Sequence, residues 1–196
     1  MSATIEYKMA RIVTEDIRHF GQHYPKVALI VTASAGGRDG AMTAGWHSSI
    51  SLKPLLYGVA IAPQRFTYRL IKESREFGIN FIPFEQASLA VDIGSSSGEA
   101  ADKFQRLGIR KEKPLKTGVP ILEDAYAAYE CRLVDDRPYG DHLWVVGEIV
   151  AVHYLEEAFT TAKVLDLERT RPLLYLGGNL YLSSDKDSLT VVKGTA

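Results

Sequence analysis

Two long apolar segments, at 125–136 and 142–155, are separated only by Arg137, Pro138, Tyr139, Gly140 and Asp141. A connection this short joins antiparallel neighbours, because a parallel crossover takes a dozen residues or more. The second segment, HLWVVGEIVAVHYL, is apolar on both faces. Leu143, Val145 and Ile149 fall on one side, and Trp144, Val146 and Val150 on the other. An antiparallel strand covered on both faces needs a second layer, from helices or from another subunit. This hairpin restricts the fold more than any other feature of the chain.

Other strand-like runs lie upstream and also come in close pairs: KVALIVTAS (26–34), SSISL (48–52), LLYGVAIA (55–62) and FGINFIP (77–83). The glycine-rich stretch AGGRDG (35–40) reads as a turn. LLYLGGNLYL (173–182) reads as a last short strand or a loop. Helices are fewer. Thr67 is placed to cap YRLIKESR, with Leu70 and Ile71 facing inward. Short helices are expected over 85–94, 98–108 and 14–21. Strands do not alternate strictly with long helices, which argues against a doubly wound parallel sheet. The expectation is a mainly β chain with some helices: a closed or nearly closed antiparallel barrel, assembled as a homodimer.

With 196 residues the chain is expected to be a single domain over 1–196. A net charge of −1 supplies no broad basic field, so neither nucleic acid nor an anionic membrane is expected as a partner. The longest apolar run, Leu55–Ala62, is far short of the ~20 residues of a membrane helix. No signal-peptide core is evident near the start. One cysteine, Cys131, rules out an intrachain disulfide and a multi-cysteine metal site, and reads as a packed small hydrophobe. A reducing cytoplasm is the expected location. Neither standard phosphate loop is present, and His19 and His23, with Gly21 between them, do not make a convincing metal pair.

The run DGAMTAGWHSSISLKP (39–54) places a Trp and a His among residues too small to fill a core, as if something approaches the backbone closely. It resembles the flavin-reductase-like FMN-binding proteins, whose pattern is roughly G-x-M-T-x-x-(S/W)-x-(S/T)-S-V-S-x-x-P-P. The MTAGW form looks closest to the flavoredoxin branch. Further pieces follow in the family's order: RFTYRLIKESREFGIN (65–80), SSGEAADKF (96–104), AAYECRL (127–133), YGDHLWVVGEIVAV (139–152) and PLLYLGGNLY (172–181). The similarity covers about residues 24–182.

The resemblance implies an antiparallel FMN-binding split β-barrel with FMN as cofactor and NAD(P)H as transient electron donor. It implies phosphate and ribityl contacts from the hydroxyls of Thr43 and Ser49, close backbone approach at Ala44 and Gly45, and an anion-binding helix start at Arg65 and Thr67. Trp46 and Tyr175 become walls for the flat ring, and Lys103 a cation near its N1–C2=O edge. His142 is set beside the ring, where a nicotinamide would stack, as donor, orienting group or proton relay. Taken alone, Thr67 is an ordinary cap, Arg65 and Lys103 are solvated charges, Trp46 and Tyr175 are packing, and His142 is a strand-end histidine. The chain departs from the pattern at Trp46, where many members have Ser, at Gly40, where some have Asn, and at Lys53-Pro54-Leu55.

The implied function is an NAD(P)H-dependent flavin oxidoreductase passing electrons to free flavin, ferric iron, oxygen or a partner protein. Two alternatives stand beside it: a flavoredoxin-type electron carrier with tightly bound FMN and no direct use of NAD(P)H, and a non-catalytic flavin-binding domain.

Overall fold

Residues 10–18 and 21–192 are described by the structure, a computed structural model. His19 lies outside the described residues, and with it the His19–His23 pair. The run 26–34 divides at Ala28 into β1 (Lys26–Val27) and β2 (Leu29–Ala35). Gly36 and Gly37, at φ +56° and +73°, turn the chain into β3 (Arg38–Ala44). There follow β4 (His47–Leu52), β5 (Leu55–Ile61), α1 (Phe66–Ser74), β6 (Glu76–Phe81), α2 (Ala87–Gly94) and α3 (Lys103–Arg106). The remainder is β7 (Lys111–Glu112), β8 (Ile121–Leu122), β9 (Ala127–Tyr139), β10 (His142–Tyr154), β11 (Leu174–Gly177) and β12 (Leu180–Leu182).

Seven strands form one antiparallel sheet in the order β3-β2-β6-β9-β10-β5-β4. Its edge strands, β3 and β4, are separated in sequence only by Gly45 and Trp46. Three Cα steps from Ala44 to His47 reach at most about 11 Å. Six strand spacings of a flat sheet would hold the edges about 29 Å apart. The sheet must therefore roll until its edges nearly meet, and Gly45–Trp46 is the staple across them. No ladder joins β3 to β4, so the barrel stays split at this seam. Register shifts in β9–β10, between Val146 and Gly147 and between Ile149 and Ala151, and in β4–β5, between Ser49 and Ser51, bend these strands. Gly147 lets the Phe77 ring cross its strand, since a Cβ there would sit 2.5 Å from the ring.

Phe77, Leu29, Ile61, Ile79 and Val145 fill the barrel, and Ile30, Ala90, Ile93, Phe104 and Leu173 form a second core beneath α2 and α3. Four sequence expectations are corrected. Thr67 does not cap α1: Arg65 holds the cap position in extended geometry (φ −68°, ψ 132°), and Thr67 lies buried inside the first turn because Phe66 also packs inward. The helix expected over 14–21 is not found in residues 14–18, where Ile17 is 80% exposed and has no apolar surface to pack on. The helix expected over 98–108 shrinks to α3, because the Asp102 carboxylate accepts from the N–H groups of Phe104 and Gln105 and starts the helix there. Residues 173–182 form the hairpin β11–β12, and β11 also pairs with β1.

The core face of β10 is covered as anticipated, but its outer face is not covered by the described residues: Trp144, Val146 and Val150 are half-buried, and Val152 and Tyr154 are exposed. No helix among the described residues is long and apolar enough to cross a membrane.

On β9 the Glu130 carboxylate is wholly buried. It accepts from the N–H groups of Leu115 (2.6 Å), Lys116 (2.8 Å) and Thr117 (2.8 Å), from the Thr117 hydroxyl (2.8 Å) and from His153 Nε2 (2.6 Å). Burial alone would raise its pKa. The bonds from His153, Leu115, Lys116 and Thr117 outweigh burial and hold it at about 2. Since the folded value lies below the unfolded one, the stabilisation is complete above about pH 4.5 and is lost as the pH falls toward 2. Glu130→Gln should lower stability at pH 7 by about 2–4 kcal/mol. It should also flatten the pH dependence below pH 4.5, as read by urea denaturation at a series of pH values.

Candidate functional site

The seam that closes the barrel also builds a cavity. Ala44, Gly45, Ala60 and Ala62 give a shallow apolar floor because none of them projects beyond a methyl group. Thr43, at the end of β3, donates its hydroxyl proton to the Ala90 carbonyl of α2 at 2.5 Å. Its oxygen still borders the cavity and fixes α2 over the seam. Trp46 donates Nε1–H to the Tyr24 hydroxyl at 3.0 Å, and its ring lies 5.0 Å from that of His142 at 48°. Tyr175 from β11 and Tyr181 from β12 continue the aromatic wall, 5.4 Å apart. The chamber so enclosed has a volume of about 460 Å³.

A second chamber of about 300 Å³ adjoins it, and the two share Met42, Thr43, Arg65, Gly94 and Ser95. Its walls are the start of α1, the loop Ser95–Gly98 and Lys103, with no carboxylate among the lining side chains. Arg65 N–H donates to Ala62 and Tyr68 N–H to Arg65, while the N–H groups of Phe66 and Thr67 between them have no backbone acceptor among the described residues. Such unpaired N–H groups at a helix start favour an anion.

Lys103 is buried, and its ammonium donates to the carbonyls of Ala41 (2.8 Å) and Ile93 (2.6 Å). Burial first, then the nearby charges of Arg65 and Arg106, push its pKa down to about 8. Arg65 and Lys103 line the chamber, with Arg106 close to Lys103 and no acidic side chain among the described lining residues, and this creates a field that a bound anion would relieve.

The sequence-derived residues are partly gathered here. Thr43, Ala44, Gly45, Trp46, His142 and Tyr175 line the larger chamber, Thr67 and Lys103 the smaller, and Arg65 both. Lys103 thus lies at the cationic end, not in the aromatic chamber. Ser49 lines neither: it is exposed on β4, opposite Tyr57 in the ladder, on the far side of the seam staple. Sequence reasoning passed over Tyr24, Asn179 and Tyr181, which line the larger chamber, and Ser96 and Ser97, which line the smaller. Asn179 and Tyr181 stand within PLLYLGGNLY, and Ser96 and Ser97 open SSGEAADKF or adjoin it, so those motifs held the signal. Tyr24 has none, since only the fold brings it to Trp46.

At His142, Nδ1 lies 2.7 Å from Oδ1 of Asp141, which is 92% exposed. The bond from His142 holds the Asp141 carboxyl below the usual carboxylate range. An ionised Asp141 accepts a hydrogen bond from Nδ1–H, which leaves Nε2 of a neutral imidazole as an acceptor. Cys131 is buried outside the site, and burial pushes its thiol up to about 12. No cluster of His, Cys, Asp and Glu among the described residues has the arrangement of a metal site.

A family model described as flavin reductase like domain matches residues 20–182. An uncharacterised protein of Aeropyrum pernix is 36% identical over 155 residues, covering 79% of this chain and 58% of that protein. The chain thus spans somewhat more than half of that relative's length. Among solved structures, the FMN-binding protein from Thermus thermophilus with bound 1-cyclohex-2-enone superposes with a TM-score of 0.83 at 34% identity, covering 93% of this chain and 99% of that one. Flavoredoxin from Methanosarcina acetivorans superposes with a TM-score of 0.80 at 25% identity, covering 94% and 97%.

Lys103→Met should strand the carbonyls of Ala41 and Ile93 and cost about 2–4 kcal/mol of stability. The folded pKa lies below the unfolded one, so between about pH 8 and pH 10 the unfolded chain holds a proton that the folded chain has released. Stability contributed by this group therefore rises with pH across that window. Urea denaturation at pH 7.5 and pH 10 should show this rise in the wild type and its absence in the variant.

Proposed function

The chain belongs to the flavin reductase-like family, and from that membership we propose that it is an FMN-dependent oxidoreductase reduced by NAD(P)H. One observation carries the reading. A cationic chamber lined with unpaired N–H groups opens, at Thr43 and Ser95, into a shallow chamber walled by aromatic rings. FMN has the matching shape and charge: a dianionic phosphate at one end, a flat ring system at the other and a polar chain between. Bound there, the flavin would supply the redox chemistry of hydride acceptance and onward electron transfer.

The chain's own residues bind and orient. Arg65, Thr67 and the first N–H groups of α1 hold the phosphate, with Lys103 adding positive field while it anchors the chamber wall. Thr43 borders the polar chain at the junction. Ala44 and Gly45 let the ring lie close to the backbone, and Trp46 and Tyr175 pack against it. His142, held by Asp141 through Nδ1, presents Nε2 to orient the nicotinamide or to hold a proton. The acceptor is free flavin, ferric iron, oxygen or a protein. Similarity to a flavoredoxin favours a second reading, an electron carrier that exchanges electrons with partner proteins without using NAD(P)H. We place the protein in a reducing cytoplasm, consistent with its single buried cysteine.

The uncovered face of β10, with Ile50 and Leu55 exposed beside it on β4 and β5, supports a homodimer that buries this surface against a second copy. Light scattering at micromolar concentration should give twice the chain mass, and a monomer with flavin bound would refute this assembly.

Purified or reconstituted protein should yield FMN by mass spectrometry; FAD, or no flavin, would overturn the cofactor. His142→Ala should keep FMN affinity within about threefold and slow flavin reduction by NAD(P)H about tenfold or more, read by stopped flow. Trp46→Ala should chiefly weaken FMN binding through lost ring contact. Failure of the wild type to oxidise either nicotinamide, with FMN still bound, would leave the electron-carrier reading in its place.

A further inference from the structure

The loop 95–98 forms one wall of the smaller chamber, and the start of α1 forms another. The two walls touch. A Cβ on Gly98 would lie 2.9 Å from the Phe66 ring, so the bare backbone of the loop rests on that ring. Phe66 is the first residue of α1, and its ring is buried. The loop carries free donors of its own. The N–H groups of Ser96, Ser97 and Gly98 have no backbone acceptor among the described residues. The width of the chamber, and the place of these donors in it, depend on how firmly the loop is held to Phe66.

Arg38, at the first position of β3, is exposed and lines neither chamber, yet it spans this contact. Its guanidinium carbon lies 4.3 Å from the centroid of the Phe66 ring. Its Nη2 donates to the carbonyls of Gly98 and Glu99, both at 3.0 Å. One flat group thus meets the helix start with its face and the loop with its edge. Arg69 lies over the same ring at 5.4 Å and pairs with the Glu99 carboxylate at 2.7 Å, and Arg106 donates to the Ser96 hydroxyl at 2.5 Å. The Arg69–Glu99 pair is exposed on both sides, and such a pair contributes little by itself. Arg38 alone among the three combines contact with Phe66 and hydrogen bonds to the loop backbone.

We propose that Arg38 is a positioning residue for the phosphate end of the flavin: it clasps the loop to Phe66, closes the smaller chamber, and so sets how long FMN is retained and how strongly it is preferred over riboflavin. The inference rests on the flavin reading, and it bears on whether the cofactor stays bound through turnover. The effect of Arg38 passes through the loop and the Phe66 ring. Riboflavin has the ring system and the polar chain but no phosphate, so the clasp has nothing to close upon. A distant pull of the Arg38 charge on the phosphate would also favour FMN. Lysine separates the two effects, because it keeps the charge but is one atom shorter and has no flat face to lay on Phe66.

The test uses the flavin-free wild type, Arg38→Ala and Arg38→Lys. Each is titrated with FMN and with riboflavin by flavin fluorescence, and FMN release is followed by stopped flow. Each is also digested, without flavin, by an endoproteinase that cleaves after glutamate. Both substitutions should weaken FMN about three- to tenfold, the range of one net hydrogen bond, chiefly through faster release. Riboflavin affinity should stay within about twofold, so the preference for FMN falls by the same factor. Cleavage after Glu99 should quicken about threefold or more in both variants, with cleavage elsewhere unchanged, because the loop is less firmly held. Unchanged FMN affinity in Arg38→Ala, riboflavin loss in step with FMN, wild-type FMN affinity in Arg38→Lys, or unchanged cleavage after Glu99 would each overturn the inference while sparing the flavin reading. Where the wild type binds no detectable riboflavin, FMN affinity and cleavage are the readouts, and failure of either overturns it. Absence of FMN binding by the wild type would overturn both.

Discussion

Two residues, Gly45 and Trp46, span the gap between the outermost strands of a seven-stranded sheet. They set the curvature of the sheet, because so short a staple cannot cross a flat one. They also set where the cavity lies, because a sheet whose edges approach without pairing leaves a cleft along the seam. The hydrogen bond from Ala60 N–H to the Trp46 carbonyl (2.8 Å) joins the staple to β5, while Thr43, just before it, bonds α2. Site and closure are thus one feature, and a change that loosened the staple would open both.

The two ends of the cavity differ because they are built from different parts of the fold. The cationic end belongs to helices: the unpaired N–H groups of α1, the carbonyl of Ile93 in α2 and the ammonium of Lys103 in α3. The uncharged end belongs to strands and to Tyr24, whose rings lean on one another across β10, β11 and β12. Lys103 ties the helical end to the sheet by bonding α2 and β3 at once. Its pKa is depressed first by burial and then by the nearby charges of Arg65 and Arg106. Substitution of Lys103 would therefore disturb the site first through position and only second through charge.

Local pattern revealed much of this. The hairpin of β9 and β10, the pairing of β4 with β5 and the helices over 66–74 and 87–94 all have apolar runs or periodicity that can be read in order. Most of the residues implied by the family resemblance lie in one contiguous cavity. What stayed hidden was long-range. Tyr24 is brought to Trp46 by the pairing of β1 with β11, a contact that no local motif encodes. Ser49 sits in the right motif but beyond the staple, where the register shift between Ser49 and Ser51 and the exposed edge of β4 carry it away from the cavity. The helix expected from 14–21 lacked an apolar partner, which propensity cannot supply. In each case the deciding fact was which distant element lay opposite.

The glycines separate what the fold requires from what the cavity requires. At Gly58 a Cβ would lie 2.5 Å from the Trp144 ring and 2.7 Å from Ile50, and at Gly147 it would lie 2.5 Å from Phe77. The chain itself needs those positions bare. Gly45 is different: a Cβ there would meet only Tyr175 at 3.6 Å, an ordinary contact, and its backbone is not in the left-handed region. Nothing in the protein's own packing excludes a methyl group at the staple. The space left at Gly45 opens into the larger chamber, so the reason for a glycine there lies with what the chamber receives. A flat ring resting on the seam is the kind of occupant that would make one methyl group matter, since a gap of about an ångström forfeits up to about half of the contact energy.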